Sequence, residues 1–252
     1  AGGGKSDALL IEALRQVHIP HYRALILRKT YPQLSDLVDK SQMYYHRAFP
    51  EAQYNATSHV WVFPSGAKIW FGSMQYTKDR TNYQGKAFDF IGVDELTHFT
   101  WDEYSYVMSR NRPSGPGTRV YIRATANPGG VGHGWVKARY RIGEVPAGEI
   151  IREAGKKPRV RIHSTVYENR HLLENDPDYL PTLEGITDPN KRKAWLAGDW
   201  DIHAGSFLEG VWDAGKHVVA PFDIPSSWMV WKAMDWVLLT ISRGLKPLSV
   251  QI

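Results

Sequence analysis

Residues 88–99 read FDFIGVDELTHF, and no other stretch of the chain limits the fold so tightly. Phe88 to Gly92 are mostly apolar and run on into Val93, so they offer no solvent face and predict a short, fully buried strand of a parallel sheet. Asp94 and Glu95 follow at once. Open α/β sheets bind ligands at the carboxyl ends of their strands, which is where this strand delivers its two acids. In a nucleotide hydrolase the first such acid holds magnesium and the second polarises the attacking water. An Asp-Glu pair also suits a helix start, where carboxylates offset the helix dipole, and taken alone the pair favours that capping role. Two further stretches turn the reading toward a site.

The chain opens AGGGKS, the second half of the phosphate-loop pattern GxxxxGK[ST]. Its opening glycine would lie just upstream of Ala1, and the true beginning of the protein is expected to be lost. Leu10, Ala13, Leu14 and Val17 recur at helical spacing, so Gly2, Gly3 and Gly4 run into a helix amino terminus over Asp7 to Val17. Backbone amides there would cradle phosphates, Lys5 would reach the terminal phosphates, and the Ser6 hydroxyl would bind magnesium. A flexible glycine start to an ordinary helix is the alternative for half a motif. The other stretch is Arg119 to Thr125, a strand that runs into AlaAsnProGlyGly and places Asn127 at its carboxyl end. A lone Asn-Pro is usually a turn. Lys5 with Ser6, Asp94 with Glu95, and Asn127 nevertheless form a constellation with separate chemical roles.

The remaining chain reads as alternating elements. Ala24 to Leu27 predicts a strand ending in Arg28, Lys29 and Thr30, and Tyr31-Pro32 starts a helix that continues to Phe49. Trp61 to Phe63 and Lys68 to Phe71 flank a ProSerGlyAla turn and predict a hairpin. Ser73 to Gln84 is a polar run with Lys78, Arg80 and Asn82, a solvated loop or one that faces nucleotide, DNA or a neighbouring subunit. Helices are expected over Trp101 to Met108 and Trp135 to Tyr140, a surface loop over Gly143 to Pro158, and a strand over Arg159 to Val166. Short helices punctuated by proline follow up to Gly198.

With 252 residues, 42% of them hydrophobic and ten of them tryptophan, the chain can build one large domain, or one domain and part of a second. No apolar run is long enough for a membrane span, and no secretory signal is present. The absence of cysteine excludes disulfides, thiolate metal sites and cysteine nucleophiles, and fits a cytosolic setting. A net charge of +5 favours a polyanionic partner, though weakly.

These stretches together resemble the large terminase subunit of tailed bacteriophages, the ATP-driven motor that packages double-stranded DNA into a preformed capsid. The matching segments are AGGGKS, LRKTYPQL, YQGKAFDFIGVDELTHF, ATANPGGVGHGWVK and GDWD, and they cover roughly Ala1 to Asp201. The resemblance implies an α/β fold, a P-loop NTPase of the additional-strand, catalytic-glutamate type with a parallel sheet and flanking helices. Residues 1–205 would be the motor domain, 206–228 a linker, and 229–252 the start of a ribonuclease H-like nuclease domain. ATP and Mg2+ would be held by Gly2, Gly3, Gly4, Lys5, Ser6 and Asp94. Glu95 would be the general base, Asn127 would sense the γ-phosphate, and Arg80 would reach a neighbouring subunit's phosphates.

AlaMetAspTrp at 233–236 resembles the first nuclease strand, so Asp235 would be a divalent-metal ligand of the parent protein. Val237 stands where that pattern has glycine and the remaining acids of that site are missing after Asp235, so this chain is not expected to cut DNA; truncation or an altered reading frame would account for such a tail. Expected partners are double-stranded DNA, the portal protein, the small terminase subunit and further copies in a ring on the procapsid, all in the host cytoplasm without a membrane. A helicase-like translocase, or an inactive fragment that binds only DNA or portal, are the alternatives.

Overall fold

A computed structural model of the chain describes residues 2–201. Helix and strand alternate at first, with α1 (Lys5–Ala13), β1 (Arg23–Arg28) and α2 (Tyr31–Ala48) followed by β2 (Gln53–Asn55), β3 (Val60–Val62) and β4 (Lys68–Ser73). Next come β5 (Phe90–Val93), α3 (Trp101–Ser109), β6 (Tyr121–Ala124) and α4 (His133–Arg139). A two-stranded pair, β7 (Ile150–Ile151) with β8 (Arg159–Val160), precedes the short helices α5 (Arg170–Asn175), α6 (Tyr179–Glu184) and α7 (Pro189–Leu196).

The main sheet has the order β2-β3-β4-β1-β5-β6. β4, β1, β5 and β6 run parallel, whereas β2 and β3 run antiparallel to their neighbours. The sheet expected to be parallel is therefore mixed, mostly parallel with an antiparallel edge that includes the hairpin expected from Trp61 to Phe71. Chain length explains the difference: residues 63–67 between β3 and β4 are too few for a crossover, so the strand has to reverse. β2 escaped the sequence reading because three residues are too short to display an alternation.

All four residues of β5 are buried, as an interior strand between β1 and β6 requires. α1 packs on it through Leu9, nearly inaccessible and contributing about 1.5–3 kcal/mol of burial. The amino ends of the strands are tied by Asp89, fully buried, which accepts from Arg23 N at 2.9 Å, Ser114 N at 2.8 Å and Thr118 Oγ1 at 2.6 Å. Asn111 Nδ2 donates to the carbonyls of Phe88, Asp89 and Tyr121 at 3.0–3.1 Å. With their amino ends tied, β1, β5 and β6 end at one level. Their register pairs Leu27 with Val93 and Val93 with Ala124, so the next residues, Arg28, Asp94 and Thr125, emerge together.

Elsewhere the elements differ from expectation in length. α1 gives way at Leu14–Gln16 to a 3-10 turn, and the polar run after β4 contains a 3-10 segment, Thr77–Tyr83, whose Tyr83 is buried with its hydroxyl donating to Ser73 O. The expected strand over 159–166 shrinks to the two residues of β8. Ile162, which would continue its apolar face, is 74% exposed, so nothing rewards extending the ladder. The linker and the nuclease-like segment expected after residue 205 lie outside the described residues.

Gly92 sits in β5 where α1 comes closest. A Cβ there would lie 2.8 Å from Ile26 Cδ1 and 3.1 Å from Leu9 Cγ. Overpacking of this kind costs about 1–3 kcal/mol. Gly92→Ala is expected to lower unfolding stability in urea by that amount, and an unchanged midpoint would show that α1 and β5 are not closely packed.

Candidate functional site

Asp94 has no solvent exposure and joins three elements at the carboxyl edge of the sheet. Its Oδ1 accepts from Ser6 Oγ in the first turn of α1 at 2.9 Å and from Thr125 Oγ1 after β6 at 2.6 Å. Its Oδ2 faces Arg28 Nε at the end of β1 at 3.3 Å. That approach is an ion pair without hydrogen-bond alignment: both Arg28 Nε and Asp94 Oδ2 are buried and make no hydrogen bond.

Glu95 leaves the strand in the left-handed region, with φ 54° and ψ 59°. Such a conformation costs a side-chain-bearing residue roughly 1–3 kcal/mol, and neighbouring bonds hold it. Glu95 N donates to Thr125 Oγ1 at 2.9 Å, and Leu96 N donates to Thr125 O at 2.8 Å. The turned backbone brings the carboxylate to Asn127, whose Nδ2 donates to Glu95 Oε1 at 2.9 Å, while Thr97 Oγ1 donates to Asn127 O at 2.9 Å. Helix capping, the alternative role for the acid pair, falls to other residues. Thr100 caps α3, accepting from Glu103 N at 3.3 Å while Glu103 accepts from Thr100 N at 3.0 Å, and Lys29 Nζ donates to both Glu103 oxygens at 2.8 Å.

The glycine loop lies directly before α1. Gly2 and Gly4 have φ of 72° and 65°, which a residue with a side chain would adopt only under strain. The segment from Ser164 into the start of α6 packs over the loop: Asn169 Nδ2 donates to Gly2 O at 2.6 Å, and a Cβ on Gly2 would come within 2.9 Å of Leu172 and Tyr179. A Cβ on Gly3 would come within 2.7 Å of Ser164 Oγ. Lys5 is partly buried in the first turn of α1. Burial lowers its pKa from the ordinary lysine value, opposed by the nearby charges of Glu95 and Asp94. A cleft of about 500 Å³ opens beside the cluster, lined by Arg28, Glu95, Thr97 and Asn127 from the strand ends and by Tyr179, Leu183 and Trp195 from α6 and α7.

Among the described residues no group of three or more His, Asp or Glu side chains could hold a metal by itself. A carboxylate touching a hydroxyl fits a different ion. Magnesium takes hard oxygen donors and is typically held by one or two protein oxygens plus water and phosphate, and Asp94 with Ser6 supplies such a pair.

Gly2, Gly3, Gly4, Lys5, Ser6, Asp94, Glu95 and Asn127 thus converge on one edge of the sheet, and Arg80 does not join them. Its Nη1 pairs with Asp102 Oδ2 at 3.2 Å, and its guanidinium lies over the Tyr106 ring at 5.9 Å. Asp235 lies outside the described residues. Two members of the cluster were missed as site residues. Arg28 had a usable signal, since it ends a strand beside the acid-bearing one. Thr125 had none, because its hydroxyl matters only through register with Asp94.

Thr125→Val removes one hydroxyl that serves both acids, leaving Asp94 Oδ1 and Glu95 N each short of a partner. About 1–3 kcal/mol of stability is expected to be lost, and Thr125→Ser is expected to restore most of it. Denaturant unfolding of the two variants checks this, and equal losses in both would mean that the methyl group, not the hydroxyl, carries the effect.

Comparison with known proteins adds family and fold. The family model described as terminase large subunit, T4likevirus-type, N-terminal, matches residues 1–212. Comparison with curated proteins finds no match. Among solved structures, the large terminase from a thermophilic bacteriophage, in its second crystal form, is similar with a TM-score of 0.58 and 15% identity, over 89% of this chain and 52% of that one. The same phage's large terminase in complex with ADP is similar with a TM-score of 0.56 and 15% identity, over 86% of this chain and 50% of that one. At that identity the likeness is one of fold, and the chain spans about half the length of those terminases.

Proposed function

Because the chain belongs to the large terminase family, we propose that it is the ATPase part of a motor that drives double-stranded DNA into a procapsid. The observation that carries this reading is the pair of linked contacts at the strand ends, Ser6 with Asp94 and Glu95 with Asn127. The ADP bound by the relative from the thermophilic phage supports a nucleotide as the ligand. Magnesium held by Ser6 and Asp94 would neutralise phosphate charge when bound.

This chain's own residues carry the rest. The amides of Gly2 to Gly4 and the ammonium of Lys5 bind the phosphates, aided by the amino terminus of α1. Glu95 takes the proton of the attacking water, and its left-handed backbone aims it away from the strand and toward the cleft. Asn127 holds Glu95 Oε1 until a terminal phosphate draws the amide away, which ties hydrolysis to occupancy of the cleft. Arg80, held by Asp102 and Tyr106 outside the cleft, serves a neighbouring subunit's site in a ring. Portal protein, the small terminase subunit and DNA are the partners of such a ring. No helix among the described residues is long and apolar enough to cross a membrane.

ATP turnover of the chain, measured alone and with portal-bearing procapsids and DNA, tests the reading. Lys5→Ala is expected to abolish binding of a fluorescent ADP analogue. Glu95→Gln is expected to retain binding while slowing turnover about 10²- to 10⁴-fold, the usual contribution of a general base. Unchanged turnover in Glu95→Gln would remove Glu95 from that role, and unchanged binding in Lys5→Ala would overturn the nucleotide site itself.

In the same assay, Arg80→Ala is expected to spare binding and reduce stimulated turnover by roughly 10³-fold or more, as loss of an arginine finger does. Mixing Arg80→Ala with Lys5→Ala protein is expected to restore part of the activity. The absence of rescue at every ratio would rule out a role across subunits.

A further inference from the structure

The Arg28–Asp94 pair is built unlike the other contacts of the cluster. Asp94 Oδ1 is satisfied by two hydroxyls, whereas Oδ2 is buried, makes no hydrogen bond and has the Arg28 guanidinium as its facing cation at 3.3 Å. Arg28 Nε likewise makes no hydrogen bond, although an aligned arginine–carboxylate pair normally makes two. The rest of the guanidinium is held from elsewhere: Nη1 donates to Gln33 O in the first turns of α2 at 2.9 Å. Arg28 is one-fifth exposed and lines the cleft shared with Glu95 and Asn127, while Asp94 is fully covered. One buried carboxylate oxygen therefore has a close cation but not the bonds that would lock that cation in place.

We propose that Arg28 is a placeholder cation for the magnesium site, supplying beside the Asp94 carboxylate the positive charge that the metal would supply when nucleotide binds. The inference rests on the nucleotide reading above. Two cations compete for one carboxylate, so metal and Arg28 are alternatives at Asp94. A divalent ion arriving alone has to separate Arg28 from a fully buried carboxylate, and its binding is suppressed. A nucleotide supplies phosphate oxygens in the cleft that Arg28 already lines, giving the displaced guanidinium a new anionic partner. Magnesium is thereby admitted with nucleotide and disfavoured without it. Arg28 acts on the metal through Asp94, as a positioning residue, and its link to α2 gives the exchange a path into the fold.

Melting of the 252-residue chain in Mg2+ without nucleotide, against NaCl of matched ionic strength, tests this. The wild-type protein is expected to melt at the same temperature in both salts. Arg28→Gln leaves Asp94 buried without its cation and is expected to melt about 5 °C lower or more in NaCl. Mg2+ alone is expected to restore most of that loss, with a half-effect at least tenfold below any concentration that shifts the wild type. Arg28→Lys keeps the charge and is expected to show no response to Mg2+ alone. Arg28→Gln/Asp94→Asn removes both charges and is expected to regain stability without responding to Mg2+.

A purely structural pair predicts otherwise, and an Arg28→Gln protein that melts lower with no response to Mg2+ overturns the proposal. Should Arg28→Gln fail to fold in NaCl, refolding in Mg2+ takes its place: recovery supports the placeholder, and failure alongside a folded double variant overturns it. A fluorescent ADP analogue titrated into wild-type and Lys5→Ala protein keeps the two readings apart. Equal binding there defeats the nucleotide site, whereas the nucleotide-free melts report on the Arg28–Asp94 exchange alone.

Discussion

The carboxylate of Asp94 is the contact on which the arrangement turns. It has no solvent exposure, so its interactions must come from protein, and those partners come from α1, from the end of β1 and from the turn after β6. Removing a partner from a buried charge costs far more than such a pair gains over an apolar replacement, so the three elements are held to one another by that penalty. Thr125 extends the same logic one residue further. Its hydroxyl donates to Asp94 and accepts from the amide of Glu95, so the residue that orients one acid also fixes the turned backbone of the other.

This bonding divides the site into a half tied by several contacts and a half tied by one. Asp94, Ser6 and Thr125 are bound into the sheet edge, whereas the carboxylate of Glu95 is held through the amide of Asn127. A hydrogen bond to a charged group contributes about 1.5–3 kcal/mol, so this single contact is the weaker tie. The cover over the glycine loop belongs to the same picture. Asn169, Leu172 and Tyr179 come from a region of short helices, and Tyr179 both approaches Gly2 and lines the cleft, so the shape of the cleft and the position of α6 are physically linked.

Much of this was legible in the residues because local chemistry constrained it. A run of apolar residues ending in two acids marks a buried strand, and β5 is buried along its whole length. Gly2 and Gly4 adopt the positive φ that a glycine loop before a helix requires, and Asn127 lies just past a strand end, where its sequence context put it. The strand expected over 159–166 failed for the opposite reason. Its alternation was real, but alternation builds a strand only where another surface buries one face, and Ile162 has none.

What the tertiary structure alone decided is who stands next to whom at the strand ends. Arg28, Asp94 and Thr125 are far apart along the chain, with β4 paired to the other side of β1, and no local pattern states their register. The pairing of Leu27, Val93 and Ala124 across three parallel strands sets it, and that pairing follows from packing α1 against Gly92 and tying the strand starts through Asp89 and Asn111. The residue types at the site were written in the sequence, because an acid, a hydroxyl and an amide carry their chemistry wherever they stand. Their distances were not, because a hydrogen bond of about 3 Å between distant residues is a property of the packed sheet.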